Sequence, residues 1–176
     1  VSPDPLVLQA AVAIPISIAL VFYTLARWNR MPVNLLLAAT LTALTFWLVA
    51  LVLKTVDGPI WMREAALDLE TGAVLFMPAL FLILMAHFAR SPLFEESHAP
   101  AAAVLVVSLL FLAGYLSDDR HHLYFTDRAA ALAGAHPREW GGPIYWAVQI
   151  WCGICDLVAL FYCLSVAFRG RTPMER

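Results

Sequence analysis

Apolar residues in this chain gather into long runs separated by mostly short polar segments. Five runs are long enough, or nearly so, to cross a bilayer as helices: 6–26, 33–53, 67–89, 101–116 and 144–168. A bilayer's hydrocarbon core is about 30 Å thick and takes roughly 20 apolar residues in helix. The pattern therefore predicts an all-α, polytopic transmembrane bundle of about five helices, read as a single domain over residues 1–176. Pro15 and Pro78 fall inside the first and third runs and are expected to kink them, which membrane bundles tolerate. One connecting segment is long, residues 117–143. It is polar but carries Leu123-Tyr124-Phe125 and Trp140, so it is expected to fold back on the helix ends, with a short interfacial helix over 127–133.

Composition removes the soluble alternatives. Hydrophobic residues make up 62% of the 176 residues and charged residues only 14%, too little charge to cover a soluble domain of this size. Mean hydropathy is +0.77. The net charge of −2 gives no basic footprint, so no nucleic-acid partner is expected. With the N-terminus outside, Arg27, Arg30, Arg90, Arg169, Arg171 and Arg176 lie on the inner side, close to helix ends. Lys54, Arg63, Arg120, Arg128 and Arg138 then lie outside, among most of the acids. Basic residues beside inner helix ends set orientation, so the expected topology is N-out, C-in, in a cytoplasmic (inner) membrane. Trp28 falls near the inner boundary and Trp61, Trp140 and Trp146 near the outer one, where interfacial anchors belong.

Polar residues inside the spans are the candidate chemistry. On the fifth, Tyr145, Gln149, Cys152, Asp156 and Cys163 recur at helical spacing as a polar stripe. An ionised carboxylate at the depth of Asp156 would cost several kcal/mol, roughly 3 on insertion scales. It is thus expected to be protonated, hydrogen-bonded or beside a water-filled cavity, either as a ligand or proton site or as an interhelix hydrogen bond. Asn34, Ala38, Thr42 and Thr45 on the second span offer a small, hydroxylated face to partner it. On the third span Glu64, Asp68 and Thr71 share a face near the outer edge, with Glu70 on another side and slightly deeper. His121 and His122 follow the fourth span beside acids; adjacent residues point apart, so no metal site is assigned to them. His87 is read as a packing or interfacial residue.

Several chemistries lack their residues. No two histidines sit at matched depth for a bis-His haem, and Lys54, the one lysine, stands at a span end rather than where a retinal Schiff base would need it. Walker, glycine-rich nucleotide and HExxH motifs are missing. Trp151-Cys152-Gly153-Ile154-Cys155 has the form of a WCxxC redox motif, but that motif acts where it is exposed at the start of a helix. No cofactor is assigned.

Four segments carry a family likeness. They are Arg27-Trp28-Asn29-Arg30-Met31-Pro32, leading to a helix with Trp47; Met77-Pro78-Ala79-Leu80-Phe81, followed by Ala86-His87-Phe88; His121-His122-Leu123-Tyr124-Phe125; and Gly142-Pro143-Ile144-Tyr145-Trp146, on a span ending at Arg169-Gly170-Arg171. In this order they resemble the N-terminal seven-transmembrane region of bacterial and archaeal sensor histidine kinases. The family region has two further helices beyond the five read here, and no phosphoacceptor or ATP-binding domain is present in the sequence. The resemblance implies signal reception. The expected function is a non-enzymatic sensor or receptor-like module in the lipid bilayer, coupled to a cytoplasmic signalling partner or other membrane subunits. Asp156, Gln149 and Tyr145 are its expected interior ligand site and His121 and His122 the outer lip, with Glu70 and Trp47 in the same candidate set. Two alternatives stay open: an accessory or structural subunit of a redox or photosynthetic membrane complex, and a quinone-linked thiol oxidoreductase.

Overall fold

The computed structural model describes residues 5–27, 32–56 and 58–169. Trp28, Arg30, Asp57, Arg171 and Arg176 lie outside the described residues, so the anchor and charge readings placed on them concern the sequence alone. Nine helices are present among the described residues: α1 (Pro5–Ala26), α2 (Pro32–Thr55), α3 (Ile60–Phe88), α4 (Pro92–Glu95), α5 (Ala99–Leu116), α6 (Asp118–His121), α7 (Arg128–Leu132), α8 (Pro137–Trp140) and α9 (Pro143–Arg169). Five of them, α1, α2, α3, α5 and α9, are long and apolar enough to span a membrane. The chain is an all-α transmembrane bundle.

Hydropathy places the third span at 67–89, but α3 starts at Ile60. Its first turns carry Arg63, Glu64, Asp68 and Glu70, which a lipid scale scores as loop although they are helical. With 29 residues, α3 is about 43 Å long at the α-helical rise. That exceeds the roughly 30 Å hydrocarbon core, so part of α3 stands outside it. Both α1 and α3 continue through their internal prolines, Pro15 and Pro78.

α3 is the central helix. Half of its span is buried, against at most 22% for the other four. It packs on α2, α9 and α5, and more lightly on α4 and α7. Ala66, Ala73, Ala79 and Ala86 are buried along it, and such small residues let neighbouring backbones approach closely. α1 touches α2 alone among the described helices. Ser17 Oγ and Thr45 Oγ1 tie the two helices across 2.8 Å. The expected pairing of the α2 polar face with α9 is thus not observed: α2 makes no contact with α9, and Thr45 is used on α1.

The two ends of the bundle differ. At one end the chain from 117 to 142 returns over the helices through α6, α7 and α8, as its aromatic content leads one to expect; α7 covers most of the interfacial helix read over 127–133. At the opposite end Arg90, with φ of 50°, turns the chain out of α3, and Ser91 N–H donates back to Ala86 O at 3.0 Å. There Ser91 Oγ lies 3.1 Å from the Tyr162 hydroxyl of α9, and Phe94 meets the Tyr162 ring edge-on. His87 Nδ1 hydrogen-bonds the Ile83 carbonyl oxygen at 3.1 Å, within its own helix.

Candidate functional site

The loop at the 117–142 end is built on one carboxylate. Asp118 opens α6 and is 3% exposed. Its two oxygens accept the backbone N–H groups of Tyr124, at 2.6 Å, and Phe125, at 3.2 Å. His122, in the left-handed region with φ of 51°, makes the turn that brings those amides back. The returning strand is held from the other side as well. Gly142 N–H donates to Tyr124 O at 2.8 Å and Thr126 N–H to Trp140 O at 2.8 Å. A Cβ on Gly142 would run into the Leu123 carbonyl, so this close backbone approach requires glycine. Asp127 caps α7 by accepting Ala130 N–H at 3.0 Å.

This framework buries an aromatic cluster against the tops of α5 and α9. Tyr115, Tyr124, Phe125, Trp140 and Tyr145 meet edge-on or tilted, with ring centroids 4.8–5.8 Å apart. That is the range in which aromatic pairs attract beyond their buried area. Trp140 Nε1 donates to Ala135 O at 2.9 Å, which satisfies the indole and fixes its plane. Burial pushes the Tyr124 phenol above its ordinary value, so it stays a neutral hydroxyl at working pH.

Beneath the loop lies a chamber of about 290 Å³. Glu70 and Thr71 of α3 form one wall and Tyr145 and Gln149 of α9 another; Tyr124 and Trp140 roof it, and Lys54 of α2 closes the side. Lys54 Nζ makes an ion pair with Glu70 Oε2, linking the end of α2 to α3. Both side chains are partly exposed, 40% and 30%, so the pair contributes only about 0–1 kcal/mol. A cleft of about 220 Å³ shares Lys54, Leu67, Ala131 and Gly134 with the chamber and adds Arg63. A third hollow, about 410 Å³, shares Arg63, Leu132 and Ala133 with that cleft and runs to Gly58 and Ile60. The three lie side by side, sharing lining residues from one to the next. Nearby, Asp68 accepts the Tyr115 hydroxyl, and Arg128 lies 3.8 Å from Asp68 and 3.6 Å from Asp119.

The structure brings together three of the seven expected site residues, Glu70, Tyr145 and Gln149, in the chamber. It does not bring Asp156 to them. Asp156 is exposed on α9, beside a groove of about 450 Å³ whose other walls include Leu41 and Leu44 of α2 and Pro78 and Phe81 of α3. It follows Gln149 by seven residues, within about 20° around the helix, so the two share a face. The loop covers that face at Gln149, and no described element covers it at Asp156. Asp156 thus stands outside the chamber. His121 serves the turn: its Nδ1 accepts Leu123 N–H at 3.1 Å and its Nε2 lies 3.0 Å from Ser117 Oγ. His122 is exposed at that turn and lines none of the three hollows. Trp47 is half-buried on α2 and does not line them either. Cys152 and Cys155 are buried, with Cys152 Sγ donating to Val74 O at 3.3 Å, so neither thiol is placed as an accessible redox pair.

Lys54, Thr71, Tyr124 and Trp140 complete the chamber without having been read as site residues, and Asp118 holds its roof. Lys54 and Glu70 stand 16 positions apart in the sequence, and nothing local pairs them.

A five-span helical bundle with a loop-roofed chamber at one end defines a class, that of polytopic membrane modules with an aromatic-lined pocket at the membrane surface. Within that class, residues 9–176 match the family described as the N-terminal 7TM region of histidine kinase. The chain belongs to this family. No curated protein and no solved structure shows a significant match to it.

Proposed function

We propose that this chain is the stimulus-receiving membrane module of a signalling system and that the chamber is its receptor site. The observation that carries this reading is the convergence of Glu70 from α3 with Tyr145 and Gln149 from α9 under a roof fixed by Asp118. Small-molecule sites are concave, largely apolar and provided with a few convergent polar groups, and the chamber has that composition. The module binds and relays rather than catalyses; its output passes to a cytoplasmic kinase partner. The orientation is N-out, C-in, in the inner membrane. It puts the chamber outside and the Arg27, Arg90 and Arg169 end inside, in line with the positive-inside rule.

A second reading has one observation in its favour. Asp156 is exposed at an apolar groove that it lines together with residues of α2 and α3, a place suited to a transmembrane helix of a neighbouring subunit. An accessory role in a larger membrane complex would use that face and leave the chamber idle.

The test is a signalling reporter in cells carrying the natural signalling protein, with the membrane level of each variant measured in parallel. Gln149→Leu and Tyr145→Ala are expected to abolish or shift the response at unchanged membrane level, while His122→Ala keeps it. Normal responses in both chamber variants would refute the receptor reading and favour the subunit role.

A further inference from the structure

We propose that the chamber takes a small zwitterion of the α-amino acid class, with its ammonium on Glu70 and its carboxylate on Lys54. The proposal rests on the chamber being the receptor site and specifies what it receives.

The charges stand in an order that selects for this chemistry. Arg63 lines the outermost hollow, Arg63 and Lys54 the cleft, and Lys54 and Glu70 the chamber. Arg63 and Glu70 are seven residues apart on α3, so they lie on one face about 10 Å apart along the axis. Among the described residues Arg63 makes no ion pair, which leaves it to draw a carboxylate in from solvent. Lys54 bonds one oxygen of Glu70, Oε2. A zwitterion arriving there replaces one exposed ion pair with two, Lys54 to its carboxylate and Glu70 to its ammonium, and leaves no charge without a partner.

Other ligand classes fare worse on the same wall. A simple anion that drew Lys54 away would strand Glu70 beside the aromatic cluster. A simple cation would have to pass Arg63 and then displace Lys54. An uncharged apolar molecule would cover the ion pair without replacing its water, which is costly for charged groups. Size points the same way: about 290 Å³ is at the small end of ligand pockets, which run from roughly 300 to 1,000 Å³. The α9 wall, Tyr145 with Gln149 beside it under the Trp140 roof, offers an apolar surface for a side chain and an amide to orient it.

The experiment is calorimetric titration of the full chain in lipid nanodiscs with L-phenylalanine, L-leucine and glycine. It is repeated with N-acetyl-L-phenylalanine, which lacks the ammonium, and L-phenylalaninamide, which lacks the carboxylate. Saturable binding of phenylalanine or leucine is expected, with each phenylalanine derivative at least about tenfold weaker than its parent, the loss of one charge-assisted contact. Glu70→Gln is expected to erase the preference for phenylalanine over its N-acetyl form, and Lys54→Gln its preference over the amide. If none of the three amino acids binds at millimolar concentration, or if both derivatives bind as well as the parent, the proposal is wrong. Its failure is separable from failure of the receptor reading. A reporter that still depends on Gln149 and Tyr145 keeps the site and discards this ligand class. A reporter indifferent to them discards the site itself.

Discussion

Removing the Asp118 carboxylate should release the roof of the chamber while the five spans stay inserted. Its two oxygens hold the Tyr124 and Phe125 amides at 2.6 and 3.2 Å in a position only 3% exposed. A hydrogen bond to a charged group contributes about 1.5–3 kcal/mol, and a buried N–H left without an acceptor costs about 1–3 kcal/mol. The two bonds share one carboxylate and one turn, so they are not additive. Asp118→Ala is therefore expected to destabilise the loop by about 3–5 kcal/mol, and Asp118→Asn by about half of that, since the amide oxygen still accepts one N–H. The assay is hydrogen exchange in nanodiscs, followed at the Tyr124 and Phe125 amides and, as an internal control, along α3. A local loss of about 3 kcal/mol accelerates exchange roughly a hundredfold. The α3 amides around Leu75 and Ala79, both fully buried, should not change. Unchanged exchange at Tyr124 and Phe125 in the alanine variant would show that the carboxylate does not hold the roof. Equal acceleration in α3 would show that it holds the whole bundle instead.

Three further outcomes follow from particular contacts. Gly142→Ala forces a Cβ into the Leu123 carbonyl and should lower stability by about 1–3 kcal/mol, whereas Gly153→Ala, with open space around its Cβ, should be neutral or slightly stabilising; thermal unfolding of the two variants side by side checks the contrast. Because burial raises the Tyr124 phenol, the folded chain keeps its proton where the unfolded chain loses it, above about pH 10. The stability that Tyr124 contributes is complete below that value and falls as the pH rises through the higher folded value; Tyr124→Phe should flatten the alkaline loss, and identical alkaline slopes would count against a buried phenol. Finally, Asp156→Leu in the chain reconstituted alone should raise the unfolding midpoint, since an exposed carboxylate at mid-span costs about 2.5–3.5 kcal/mol on insertion scales. A lowered midpoint would mean that the carboxylate is already satisfied by a partner.

The spans were legible because a helix in lipid needs an uninterrupted apolar run, and hydropathy measures that requirement directly. The same measure hid the start of α3. From Ile60 to Leu67 the helix carries Arg63 and Glu64, so no apolar run marks its course. At the site, the stripe on α9 showed that Tyr145 and Gln149 share a face. It could not show where the loop's cover ends along that face: Gln149 lies beneath the loop and Asp156 does not. Asp118 and Asp119 make the same point at closer range. They are adjacent and chemically identical, yet Asp118 is buried under two amides while the Asp119 side chain is 86% exposed. Nothing within the polar run 117–122 tells them apart, because the difference is made by the chain's return six residues later.

The contacts around the chamber bear on how a receptor of this kind would relay a signal. α3 and α9 are joined at several depths: Cys152 Sγ to Val74 O, the packing of Leu82 on Cys155 and Ala159, and, at the far end, Tyr162 to Ser91 just past α3. α1 is fastened to α2 by Ser17 and Thr45. α2 packs on α3 more extensively than α9 does, and at the chamber the exposed Lys54–Glu70 pair, worth about 0–1 kcal/mol, joins the end of α2 to α3. A ligand shifts a conformational equilibrium only through contacts that differ between the two states. The Lys54–Glu70 pair is such a contact, since a ligand that engages either partner exchanges it for another. The degree of freedom that a chamber ligand can bias through this pair is therefore local, the Lys54 end of α2 against the Glu70 turn of α3, on an interface that the two helices otherwise share extensively.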